Sequence, residues 1–211
     1  MKKYKALIAS SLFVMAALFP VSYTDGASQG VLKKGALLVA RPELPSRFFS
    51  ETVIIIVIHE KKGTLGLILN KPTGHSSSDI LNAPEEMKNL HEDLFLGGPQ
   101  NRHIATLLID TDNPPKGADN VFGGIYFSGS VAAVLSGGKS EGHYEIRAYS
   151  GVSSWARGQL EMEVLRGDWL ILEPDSEAVF SKEPEKLWEK LLKSNKKGSS
   201  FLLEVNNRNS K

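Results

Sequence analysis

Glu161 and Glu163 stand one residue apart, a pairing from which general acid and base chemistry could be built. On a strand the two carboxylates would share a face. On a helix they would point about 200° apart and could not act on one substrate. The segment Gln159 to Leu165 reads as one or two helical turns, so paired carboxylate catalysis is not expected there. Trp155 and Trp169 flank this segment and could form a platform for a flat ligand, although core or interface packing is the commoner fate of tryptophan.

Other apparent motifs lose their chemistry once their context is considered. Ala133 to Ser140 (AVLSGGKS) satisfies a relaxed phosphate-loop pattern, but that mechanism needs a strand before the glycines and a helix after them. Here the expected order is reversed, and Gly137-Gly138 reads as the stop of a helix. His75-Ser76-Ser77-Ser78-Asp79 contains the residue types of a serine-hydrolase triad, yet triads are assembled from separate elements, and no Gly-x-Ser-x-Gly elbow is present. The five histidines, at 59, 75, 91, 103 and 143, lack the i, i+4 spacing with which one helix face grips zinc. Cysteine is absent, which removes disulfides, thiolate metal sites, redox pairs and a cysteine nucleophile. No metal site and no cofactor is expected.

The elements that must position these side chains alternate between strands and short helices. Thr52 to His59 (TVIIIVIH) is the clearest, a central strand expected to be buried on both faces because nothing polar interrupts it from Val53 to Ile58. Glu60-Lys61-Lys62-Gly63 is too short for a crossover, so Thr64 to Asn70 should return as the second arm of an antiparallel hairpin, ended by Lys71-Pro72. Further strands are expected at Gly35 to Ala40, Leu94 to Leu96, Ile104 to Asp110, Ile125 to Phe127, Tyr144 to Tyr149 and Trp169 to Leu172. Helices are expected after a cap at Ser78 or Asp79, over Ser128 to Ser136 with a capping serine, over Gln159 to Leu165, and over Pro184 to Lys193 with Leu187, Trp188, Leu191 and Leu192 inward. Residues 110 to 120 read as a flexible Asp/Asn/Pro/Gly stretch.

Lys2, Lys3 and Lys5, the 14-residue uncharged run Ala6 to Phe19, and the small residues Gly26-Ala27-Ser28 follow the order of a secretory signal. Roughly 18 or more apolar residues are needed to span a bilayer, so residues 1–28 read as a cleaved signal rather than an anchor. The alternatives are an uncleaved N-terminal tether and a cytoplasmic chain. The mature domain would then occupy 29–193, followed by a weakly ordered polar tail at 194–211, with a periplasmic or secreted location. Loss of three lysines and Asp25 removes a net +2 from a chain of net charge +1, leaving about −1. That balance argues against a nucleic-acid partner, which usually selects for excess Lys and Arg.

Read in order, Gly35-Ala-Leu-Leu-Val-Ala-Arg-Pro42, Phe49, the strand ending in His59, Gly63, Gly66, Asn70-Lys71-Pro72, Gly97-Gly98-Pro99, Gly151, Trp155, Gly158-Gln159-Leu160-Glu161, Glu163 and Trp169 resemble the AlgH/YqgE family of bacterial proteins. The resemblance covers about residues 32–190. It implies an α+β fold, a compact two-layer domain with a mostly antiparallel or mixed β-sheet and short helices, without a helix-turn-helix. The family is widely labelled as transcriptional regulators and has no established reaction. Departures occur at Pro45-Ser46-Arg47-Phe48, at Ser154 and at Gln100-Asn101.

The shared residues divide in two. Gly35, Gly63, Gly66, Pro72, Gly97, Gly98, Pro99, Gly151 and Gly158 are explained by turns and close backbone approaches. Arg41, His59, Asn70, Trp155, Gln159 and Glu161 offer donors, acceptors and an aromatic face, and are the candidate ligand-binding residues. The leading expectation is an exported, non-catalytic binding or regulatory domain for a protein or small ligand. The alternatives are a hydrolase using His59 or Glu161 as general base, and direct transcriptional regulation.

Overall fold

The computed structural model describes residues 30–79, 92–136 and 142–195. Among these residues ten strands form one sheet: β1 (Leu37–Ala40), β2 (Val53–Glu60), β3 (Gly63–Ile68), β4 (Pro72–Ser76), β5 (Asp93–Leu96), β6 (Gln100–Thr111), β7 (Asp119–Phe122), β8 (Ile125–Ser128), β9 (Tyr144–Ala156) and β10 (Trp169–Leu172). The helices described are short: α1 (Val131–Leu135), α2 (Gln159–Arg166), α3 (Ser176–Val179) and α4 over 184–195. This is the expected α+β fold with a mostly antiparallel sheet. The main path runs β10-β1-β2-β3-β9-β6-β8-β7, with β4 paired to β5 off it.

β2 lies between β1 and β3 and is buried on both faces, as its unbroken Val/Ile run requires. Val53, Ile55 and Val57 enter one cluster with Leu65, Leu67, Phe127 and Tyr149, while Ile54 and Ile56 enter another with Trp155, Leu160 and Trp169. Each such side chain contributes about 1.5–3 kcal/mol on leaving water. The β2–β3 hairpin is antiparallel, with His59 opposite Thr64.

β9 is the strand that joins the two halves of the sheet. Its first part pairs with β6 on one side and, in parallel, with β5 on the other; its last residues, 153–156, pair with β3 instead. The change occurs at Gly151, whose φ of 73° lies in the left-handed region. Gly97 and Gly98 press against this pivot, and a Cβ on either would lie 2.2 Å from the Gly151 oxygen or 2.1 Å from the Val152 carbonyl carbon. The Gly97 oxygen accepts from Ile68 N at 3.1 Å and from Ser153 Oγ at 3.1 Å, so it ties β3, β5 and β9 together. One core thus draws on both halves of the sheet, and each half covers a second cluster on its other face.

Several local expectations are corrected. The strand begun at Tyr144 does not end at Tyr149 but continues through the glycine pivot to Ala156. Gly151 is therefore a bend inside a strand, at a close backbone approach where a Cβ would lie 2.7 Å from the Gln100 and Gly98 oxygens. Gly66 lies within β3, as the strand expected from Thr64 implies, at a close approach where a Cβ would meet Ile54 Cγ2 at 2.6 Å and the Ile55 oxygen at 2.9 Å. β3 has ended before Lys71-Pro72, as expected, and Pro72 in addition opens β4, the position in a strand that tolerates a missing N–H. Ser128 closes β8 and donates to the Gly117 oxygen at 2.8 Å; the helix begins only at Val131, and the serine at its N-cap position, Ser130, makes no side-chain capping bond. The stretch 110–120 contributes to β6 and to β7, because Asp119–Phe122 pairs with β8. Asp175 caps α3 through Glu177 N and Ala178 N, an element absent from the sequence reading. The polar run at Ser78-Asp79 forms a 3-10 turn over Ser77–Asp79, and α4 continues to residue 195. Residues 1–28, Ile80-Leu81, His91, the Gly137-Gly138 stop with Lys139 and Ser140, and the tail beyond 195 lie outside the described residues.

Candidate functional site

A cleft of about 370 Å³ opens where the β2–β3 turn meets the end of β9 and the start of α2. Glu60, Lys61, Thr64, Arg157, Gly158 and Glu161 line it. The local sequence explains the convergence. β3 pairs with the end of β9, placing Thr64 opposite Trp155 and Gly63 opposite Ala156. Gly158 then takes a left-handed φ of 76° and turns the chain directly into α2.

The frame beneath the cleft centres on Glu163. Its Oε2 accepts from Trp155 Nε1 and from Trp169 Nε1, each at 2.9 Å, and its Oε1 accepts from Gln159 Nε2 at 3.0 Å. Gln159 Oε1 in turn accepts from the Ala156 backbone N–H at 3.0 Å, holding the exit of β9. Phe49 stacks on Trp155 with centroids 6.3 Å apart and meets Trp169 edge-on at 6.0 Å. Lys71 fastens the Phe48 segment, donating to the Phe48 oxygen at 2.7 Å, and burial lowers the pKa of its ammonium. At the far end of α2, Arg166 Nε donates to Asp168 Oδ2 at 2.9 Å, and the Asp168 oxygen accepts from Arg41 N at 2.9 Å.

Of the six candidates, His59, Trp155, Gln159 and Glu161 gather around this cleft. Only Glu161 is an exposed lining residue. Trp155 is 3% exposed and forms part of the core, so it offers no open platform face. His59 Nδ1 lies 2.8 Å from Thr64 Oγ1, and among the described residues no side chain bonds its other nitrogen. A base without an orienting group is half of a nucleophile-activating array, and the hydrolase expectation gains no support from it. Arg41 and Asn70 are elsewhere. Asn70 Oδ1 accepts from Val53 N at 2.8 Å and its Nδ2 donates to the Glu51 oxygen at 2.8 Å, at the start of β2. Six residues of extended chain, ~20 Å, separate that position from His59. Arg41 follows β1 at the same end, where Ala40 N donates to the Thr52 oxygen.

Two residues escaped the sequence reading. In sequence Glu163 is one of a pair with Glu161, yet it is the carboxylate that organises the site. Its spacing of four from Gln159 is the signal that could have marked it, since i, i+4 side chains meet on a helix. Thr64 carries no signal in the sequence beyond opening a strand. Among the described residues no group of three His, Asp or Glu side chains converges as a metal site, and no helix is long and apolar enough to cross a membrane.

Comparisons with known proteins agree with this fold. The family model described as AlgH-like matches residues 37–198. A UPF0301 protein of Chlamydia pneumoniae is 35% identical over 162 residues, covering 77% of this chain and 86% of its own. Another from Methylococcus capsulatus is 32% identical, covering 75% and 89%. The solution structure of the AlgH protein from Pseudomonas aeruginosa superposes with a TM-score of 0.61 at 22% identity, covering 80% of this chain and 92% of that one. A crystal structure from Corynebacterium diphtheriae gives 0.63 at 20% identity, covering 78% and 87%.

Proposed function

Because the chain belongs to the AlgH-like family, a membership that fixes its fold and leaves its activity open, we propose that it is a non-catalytic binding domain. It recognises its partner, a protein segment or small ligand of mixed charge, at the cleft bounded by the β2–β3 turn and α2. The observation that carries this reading is the division of labour around Glu163. Trp155, Trp169 and Gln159 are consumed in holding α2 rigid, while Glu60, Lys61, Arg157 and Glu161 are left on the rim of an open cleft. A rigid support spares the cost of ordering the backbone beneath these side chains on engagement. The basic, apolar, small-residue order of residues 1–28 supports export and action outside the cytoplasm. The near-zero charge gives no support to direct DNA binding.

The test pairs localisation with recognition. Fractionation and N-terminal mass determination should find a periplasmic chain beginning near Gln29; a full-length cytosolic chain would remove the export part of the proposal. Envelope partners cross-linked to the wild type should be lost with a Lys61→Glu, Arg157→Glu variant whose melting temperature is unchanged. Equal capture by both proteins would place recognition outside this cleft. Turnover of a substrate abolished by His59→Ala would overturn the non-catalytic reading.

A further inference from the structure

A second cleft, of about 210 Å³, lies between β5, the start of β9 and the α3–α4 turn. Its floor is Arg147, only 9% exposed. The guanidinium donates to the Val179 oxygen at 2.8 Å and the Ser181 oxygen at 3.0 Å, and lies 4.4 Å from the Phe95 ring centroid and 5.3 Å from that of Phe180. Carbonyls and ring faces hold the group in place, but none of them carries a negative charge. Among the described residues no carboxylate pairs with it. A buried cation without a counter-charge is costly, and five N–H donors exceed the two well-formed bonds it makes among the described residues. The polar floor is also incomplete next door: the Tyr149 hydroxyl lies beside Arg147, buried, without a hydrogen bond of good geometry.

The mouth of the cleft has the opposite sign. Lys182 is already paired with Glu145 at 2.7 Å, which leaves Glu92 and Asp93 exposed at the rim with no ion pair among the described residues. A simple anion would meet these two acids on entry, and a simple cation would meet Arg147 inside. The arrangement suits a small dipolar molecule, negative end inward and positive end outward. We propose that this cleft binds a free α-amino acid, its carboxylate on Arg147 and its ammonium toward Asp93 and Glu92. The planar guanidinium fork matches a carboxylate, and a cleft of about 210 Å³ admits a free amino acid.

Titration of the purified full chain with each standard amino acid, followed by amide chemical shifts, tests this. At least one of these amino acids should give saturable shifts confined to residues 93–96, 145–148 and 180–184. Their N-acetyl and carboxamide analogues, which lack one charge each, should bind at least tenfold more weakly. An Asp93→Asn, Glu92→Gln variant, altered only at exposed positions, should weaken binding by at least tenfold without moving the melting temperature. Arg147→Lys should weaken it further if the fold survives. Absence of saturable binding across the whole panel would overturn the proposal. So would equal affinity for the N-acetyl forms, or shifts that map to residues 60–64 and 157–161 instead. The site is independent of the cleft at α2, so either can fail alone.

Discussion

The indole nitrogens of Trp155 and Trp169 donate to one and the same oxygen, Glu163 Oε2, although the two residues lie on β9 and β10 at opposite ends of α2. Their rings meet edge to face at 6.2 Å. A single carboxylate on the inner side of α2 thus pins the helix to two strands that do not pair with each other.

Glu163→Gln should therefore destabilise the protein by about 1–3 kcal/mol. The amide oxygen can still accept from the indoles, but its NH2 would face the Gln159 NH2, donor against donor. Urea unfolding followed by tryptophan fluorescence reads both the loss and the altered indole environment. A midpoint equal to wild type would show that the carboxylate does not hold α2.

The glycine junction makes a sharper prediction. Gly97→Ala and Gly98→Ala place a methyl within 2.2 Å of backbone atoms of Gly151 or Val152, which cannot move without breaking β9 from β5 or β6. Neither variant should yield soluble folded protein. Gly74→Ala is the control: its φ is +74° but nothing lies within 4 Å, so only backbone strain of roughly 1 kcal/mol is expected. Soluble yield and melting curves of the three variants decide the point.

Asn70→Ala should cost about 2–3 kcal/mol, because it strips partners from the Val53 N–H and the Glu51 carbonyl where β2 begins. Binding at the α2 cleft should be unaffected at temperatures where the variant is folded. A specific loss of binding in a stable Asn70 variant would return this residue to the ligand site.

Tyr149 sets an alkaline limit. Burial pushes its hydroxyl up to about 12, against the opposing pull of the neighbouring Arg147 charge. Between its unfolded value of about 10 and its folded value, the unfolded chain releases a proton that the folded chain keeps. Stability contributed by this group is thus full below pH ~10 and falls by about 1.4 kcal/mol per pH unit up to ~12. Tyr149→Phe should remove that part of the alkaline loss and lie within about 1 kcal/mol of wild type at pH 7, since among the described residues the hydroxyl makes no hydrogen bond of good geometry. Denaturation series from pH 8 to 11 on both proteins read the difference; parallel curves would refute it.

The elements legible in the residues were those whose signal is local. The Val/Ile run of β2 demands burial on both faces whatever surrounds it, and the four-residue turn before β3 permits only a hairpin. Gly97-Gly98 and Gly158 announced tight backbone, and the ordered motifs around them carried the family and hence the α+β class. β4 and β7 were not legible: Pro72–Ser76 and Asp119–Phe122 are polar or proline-led, and they are strands because a neighbour supplies hydrogen bonds. Asp175 did carry a readable cap signal at α3.

The site divides in the same way. Sequence alone determined which residues had polar groups to place, and that Gln159, Glu161 and Glu163 belong to one short helix. It could not determine which of them faces inward, because a helix repeats every 3.6 residues and only the position of Trp155 and Trp169 beneath it selects a side. Tertiary structure made Glu163 the hub, left Glu161 on the cleft rim, and moved Arg41 and Asn70 to the far end of β2. It also decided that Gly97 and Gly98 answer to Gly151, over fifty residues away. Such contacts have no local signature, since each depends on where a distant strand is brought by the packing of the whole sheet.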